Sequence, residues 1–122
     1  MSQAASQAHA FYRDVAKHRT VWTIKDKDGF PAPKNASGQR SQPFWSSCSR
    51  VKKIIASVPA YADFSPFEIT WDDFCSNWVP GLEQDNMQVG VNWSGPRALG
   101  YDMPARDVQR NVEYAIARMS AE

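Results

Sequence analysis

The passage richest in possible chemistry is Trp45-Ser46-Ser47 running into Arg50. A strand end that opens a helix presents free N–H groups at the positive end of the helix dipole, and this arrangement attracts an anion. Ser46, Ser47 and Arg50 would add donors, and Lys52 and Lys53 would add positive field. The chemistry implied is contact with a phosphate, a carboxylate or an acidic peptide. The same residues also read as a serine N-cap followed by a solvated basic helix face, since Ser is a favoured cap. Neither Gly-x-x-x-x-Gly-Lys nor Gly-x-Gly-x-x-Gly accompanies them, so the sequence carries no glycine-rich phosphate loop.

The second passage is Asn92-Trp93-Ser94-Gly95 with Arg97 and Tyr101. Trp, Tyr and Arg are the usual anchors of protein interfaces, and a strand end followed by Gly-Pro can set Trp93, Arg97 and Tyr101 around a concave edge. Alternation favours reading Trp93 itself as a core residue on the strand face of Val89 and Val91.

The remaining reactive types form no constellation. Asp72 and Asp73 are neighbours in a helix-opening turn, where acids suit the dipole and point in different directions. His9 and His18 stand nine residues apart, outside the spacing that puts two ligands on one helix face. Cys48 falls at a helix start, where a thiol pKa can drop, but no base accompanies it. Asp26, Lys27 and Asp28 lack the spacing of a calcium loop and read as a solvated turn. No catalytic residue, metal site or cofactor is expected from these patterns.

Elements must position these groups. Ala4, Ala8, Phe11 and Val15 predict a helix over 3–18, capped by Ser2. Residues 20–25 are β-branched and aromatic and predict a strand. Asp28-Gly29 breaks it, residues 31–41 form a polar loop, and residues 43–46 predict a second strand paired antiparallel with the first. A helix over 48–57 starts at Ser46 or Ser47 and stops at Pro59. Residues 66–70 make a third strand. Thr70 caps a helix that Pro80-Gly81 ends or kinks. Alternation over 87–93 predicts the clearest strand, with Met87, Val89, Val91 and Trp93 on one face. Residues 97–101 return as a short strand, and Asp102 caps a last helix over 103–119.

The order is α-β-β-α-β-α-β-(β)-α. The fold class expected is α+β, a single domain over 1–122 with a four- or five-stranded, mostly antiparallel sheet packed with helices on one face. A chain of 122 residues can bury one such core.

Net charge is +1, but its distribution is uneven. Residues 1–53 carry ten Lys/Arg and three acids, whereas residues 54–96 carry six acids and no Lys or Arg. Such a division either steers a charged partner or is neutralised when the halves pack. The N-terminus has no signal-peptide character, no apolar run is long enough to span a membrane, and Cys48 and Cys75 form no paired motif. Together these features point to a reducing cytoplasm.

Five segments in register carry a resemblance: Val21–Pro31, Pro43–Ser47, Trp78–Leu82, Val89–Gly95 and Gly100–Asp102. In that order the chain resembles the bacterial family known as domain of unknown function 2750, over roughly residues 8–115. The resemblance implies a small cytoplasmic bacterial protein of one domain and brings no catalytic residues with it.

The leading expectation is a non-enzymatic protein-interaction module with a protein partner, in an immunity-like or regulatory setting. The alternative is a small-molecule or anion-binding sensor or enzyme with its site near Ser46, Ser47 and Arg50. A nucleic-acid partner is not expected, because the basic segment shows no recognition signature. The sequence leaves the oligomeric state open.

Overall fold

Ser2 opens the first helix by accepting the Ala5 N–H on its hydroxyl, and α1 runs Gln3–His18. Arg19 ends it in the left-handed conformation (φ 55°) and returns its N–H to Val15. The computed structural model describes residues 2–121. Strand β1 (Thr20–Lys25) follows, and Asp26 and Gly29 close the turn with two reciprocal backbone hydrogen bonds. Strand β2 is Ser41–Phe44, two residues earlier than the sequence suggests, and Ser47 caps α2 (Cys48–Ser57). Then come β3 (Ser65–Thr70), a helical stretch over 71–84, β4 (Gln88–Ser94), β5 (Leu99–Met103) and α5 (Ala105–Ala121).

The strands form an antiparallel ladder β1–β3 and a three-stranded ladder β2–β4–β5, in which β2 runs parallel to β4. Strands β1 and β2 do meet antiparallel, but through one bridge only, Trp22 to Trp45, with N···O distances of 2.8 and 2.7 Å. Pro43 explains why the pairing stops there. Odd-numbered residues of β2 face β1, and proline offers no N–H to extend the ladder. Thr23 compensates from the other strand: its buried hydroxyl donates to the Pro43 carbonyl at 2.8 Å. The resulting spatial run is β3-β1-β2-β4-β5.

Apolar residues fall into two clusters. Phe11, Val15, Val21, Phe44, Ile69, Phe74, Val89, Val91, Val108 and Val112 form the larger one, with α1 and α5 over it. Ile24, Trp45, Val51, Ile54 and Trp93 form the second, under α2. Adjacent residues Phe44 and Trp45 enter different clusters, as strand alternation requires. Helices therefore cover both faces of the strand run, not one. Each fully buried Phe, Ile or Val contributes about 2 kcal/mol to folding.

Three further departures from the sequence reading have local causes. The helix after Thr70 does not end at Pro80-Gly81. An α-turn (α3, Trp71–Asp73) widens into a π-turn (Phe74–Trp78), where Val79 N–H reaches back to Phe74 O, and continues as α4 (Val79–Gln84). The extra residue sits just before Pro80, whose ring in a regular helix would strike the Ser76 carbonyl. Asp102 does not cap the last helix; it lies in β5 opposite Gly90, and Pro104 precedes the helix. Finally, Asn92 adopts φ 49°, and the β4–β5 register shifts between Val91 and Ser94. This bulge carries Trp93 to the face of Gly90, away from Val89 and Val91.

Candidate functional site

Arg50, Lys53 and Ser57 follow one another by three and four residues, so they share one face of α2. That face looks onto Gln3 and Gln7 of α1 and onto Trp93, Ser94 and Gly95 at the end of β4. Between them lies a cleft of about 210 Å³. Ser47 fixes the start of α2, its hydroxyl accepting the Arg50 N–H at 3.2 Å. The Arg50 guanidinium donates to the Gln7 side-chain oxygen. Among the described residues neither Arg50 nor Lys53 forms an ion pair. The cleft therefore holds two cationic groups with no acid among its lining residues, and a small anion satisfies that arrangement electrostatically.

Trp93 is held in place rather than free to swing. Its indole N–H donates to the Tyr101 carbonyl at 3.3 Å, and its own carbonyl accepts the Trp45 indole N–H at 2.8 Å. A Cβ on Gly90 would come within 2.3 Å of the Trp93 ring, and one on Gly100 within 2.7 Å. Both positions must be glycine for the ring to lie over the strands.

The structure distributes the sequence candidates into distinct roles. Arg50 and Trp93, which belong to two separate passages in the sequence, line the same cleft. Trp45 is buried behind it, 1% exposed. Ser46 is buried too, and its backbone N–H is taken by the Asn92 side-chain oxygen at 2.9 Å. The Ser46 hydroxyl donates to Asp14 at 3.1 Å and accepts from the Asn92 amide at the same distance. Asn92 also donates to the Gln7 carbonyl at 3.1 Å, tying α1, β4 and the start of α2 into one buried polar network. Ser47 serves as the cap. Arg97 stands exposed in the β4–β5 turn, and Tyr101 is exposed on β5 with its hydroxyl 3.4 Å from that of Ser2. Sequence reasoning missed Gln3, Gln7 and the polar role of Asn92. Only the asparagine at a strand end, a residue that tolerates the left-handed conformation, carried a readable signal.

Lys52 and Lys53 are separated by the helix: Lys53 lines the cleft and Lys52 does not. His9 and His18 are exposed, and Asp73 accepts a hydrogen bond from the Asn77 amide. Cys48 and Cys75 are free thiols. Burial pushes the Cys75 thiol up to about 11, with the charges of Glu113 and Asp72 adding to the effect. Burial also raises Tyr12; the charge of Asp107 acts in the same direction and a hydrogen bond with Asn111 against it. Among the described residues no three of His, Cys, Asp and Glu gather as a metal-binding set, and no helix is long and apolar enough to cross a membrane.

Fold and site together define a small mixed α+β domain with a basic, tryptophan-walled cleft at the junction of α1, α2 and β4. The chain belongs to the family described as protein of unknown function (DUF2750), whose model matches residues 8–112. A search of curated proteins finds no match.

Proposed function

We propose that this domain binds a small anionic ligand, phosphorylated or carboxylated, in the cleft beside Arg50, Lys53 and Trp93, and acts as a sensor of that ligand. One observation carries the reading: two cations without acid partners stand on one helix face beside a cleft walled by a fixed indole. The amides of Gln3 and Gln7 add neutral polar groups, and Trp93 supplies an apolar surface for the body of the ligand. The two unpaired thiols suit a reducing compartment such as the cytoplasm.

Thermal melts with pyrophosphate and with citrate, at constant ionic strength, test it. A saturable rise in Tm that disappears in Lys53→Ala is expected, because a ligand that binds only the native state stabilises it. Lys53 is exposed, so its loss leaves the fold intact. No rise with either anion, or an equal rise in Lys53→Ala, overturns the reading.

A second reading, the protein-interaction module, is favoured by a groove of about 650 Å³ between α1 and α5. Tyr114 and Met119 stand exposed there, and its two permanent charges, Arg13 and Arg118, are both positive. An acidic amphipathic segment of a partner protein has the complementary chemistry. Titration with a glutamate-rich amphipathic peptide tests this, and affinity unchanged in Arg118→Glu counts against it.

A further inference from the structure

Each end of the strand run β3-β1-β2-β4-β5 is an edge, and the two edges differ. Trp22 of β1 turns its N–H and C=O to Trp45 beside β2, so the odd-numbered residues of β1 face β3 and pair with Ser65, Phe67 and Ile69. Pro66 and Glu68 are then outward residues of β3. A proline without an N–H and a charged side chain blunt an edge against further pairing.

The β5 edge keeps its donors. The Gln88 N–H donates to the Arg40 carbonyl at 2.9 Å, so even-numbered residues of β4 face β2, and Val89 and Val91 face β5. Their partners Met103 and Tyr101 turn their backbone groups to β4. Alternation directs the N–H and C=O of Gly100 and Asp102 outward. Among the described residues no backbone hydrogen bond outside the ladders reaches either of them. Leu99 and Tyr101, large apolar side chains on one face of this edge, are 63% and 42% exposed. An edge with its hydrogen-bonding groups and apolar side chains open is a template for another strand.

We infer that β5 pairs with β5 of a second copy of this chain, antiparallel about a two-fold axis through Tyr101, joining two strand runs edge to edge. In this register the edge is complementary to itself. Gly100 of each copy faces Asp102 of the other and exchanges both backbone hydrogen bonds with it, so the outward groups are all used. Leu99 meets Met103 of the second copy, and the two Tyr101 side chains stand opposite each other, apolar against apolar on one face. A register about Asp102 would set like charges directly opposite. One about Gly100 would set Asp102 against Ala98, which lies in the turn at φ 51° and extends no ladder. Few side chains meet, so the dimer is weak, with a Kd of about 10–100 μM. The inference does not depend on the anion cleft.

Analytical ultracentrifugation of the full chain from about 1 μM to about 1 mM tests the inference. The average mass should rise from that of one chain towards that of two. Leu99→Lys changes an exposed side chain and should weaken the association at least about tenfold. The register has its own readout. In a Cys48→Ser, Cys75→Ser background, Tyr101→Cys should form an intermolecular disulfide on mild oxidation, because Cα atoms directly opposite in a non-hydrogen-bonded pair lie about 4.5 Å apart. Leu99→Cys should crosslink far more slowly, since its counterpart stands four residues along the ladder, roughly 13 Å away. A dimer untouched by Leu99→Lys, or crosslinking as fast through Leu99→Cys as through Tyr101→Cys, would overturn the inference. So would a chain that stays monomeric throughout, which would leave the edge to a strand of a different protein.

Discussion

The side-chain oxygen of Asn92 accepts the backbone N–H of Ser46 at 2.9 Å, joining the bulge of β4 to the residue before the α2 cap. The N–H that the sequence offers to an external anion is thereby satisfied from within. The basic groups of α2 remain available one turn further on, at Arg50 and Lys53.

Asn92 does two jobs, and two substitutions separate them. Asn92→Gly keeps the left-handed backbone but leaves the Ser46 N–H and the Gln7 carbonyl without their partner. It should cost about 2 kcal/mol. Asn92→Ala adds the strain of a Cβ at φ 49°, for about 1 kcal/mol more. Urea denaturation checks both values; a loss below about 0.5 kcal/mol in Asn92→Gly would show that the network does not stabilise the fold.

Gly90→Ala should destabilise by about 3 kcal/mol, because the new methyl would overlap the pinned Trp93 ring. In a Trp93→Leu background the same substitution should cost much less. A double-mutant cycle reads the difference as a coupling of at least about 1 kcal/mol. Additive losses would place the strain elsewhere.

Thr23→Val keeps the shape of a fully buried side chain but leaves the Pro43 carbonyl without its donor. The expected cost is about 1–2 kcal/mol. Thr23→Ser retains the hydroxyl and should lose less. If Val proves as stable as Thr, the hydroxyl does not link the two ladders energetically.

In a Cys48→Ser variant, Cys75 is the sole thiol. With its pKa raised from 9.0 to about 11 it stays protonated at neutral pH. Alkylation by iodoacetamide should be slow at pH 8 and rise about tenfold per pH unit until pH approaches 11. The unfolded chain loses this proton first, so the thiol's contribution to stability is fully present below pH 9. That contribution is lost as pH rises from 9 to 11. Rapid labelling at pH 8 would contradict the buried environment.

Much of the fold was legible because its signals are local. The Ser2 and Ser47 caps, the Asp26–Gly29 turn, β1 and the apolar stripes of α1 and α2 each depend on residues within a turn of one another. The candidate site was legible only in pieces. Arg50 and Trp93 were each readable, but nothing in their spacing showed that they share a cleft. Gln3 and Gln7 carried no signal, since an amide becomes chemically distinctive only through what it meets.

By itself the sequence determined the fold class, the element order and the groups able to attract an anion, since periodicity, capping and charge act over short separations. Tertiary structure alone decided which face each late element presents. A left-handed asparagine turned Trp93 across the sheet, a proline limited β1–β2 to a single bridge, and a π-turn carried the helix past Pro80. Each outcome depends on a backbone choice whose cost is repaid by partners distant in the chain, and short-range patterning holds no record of those partners.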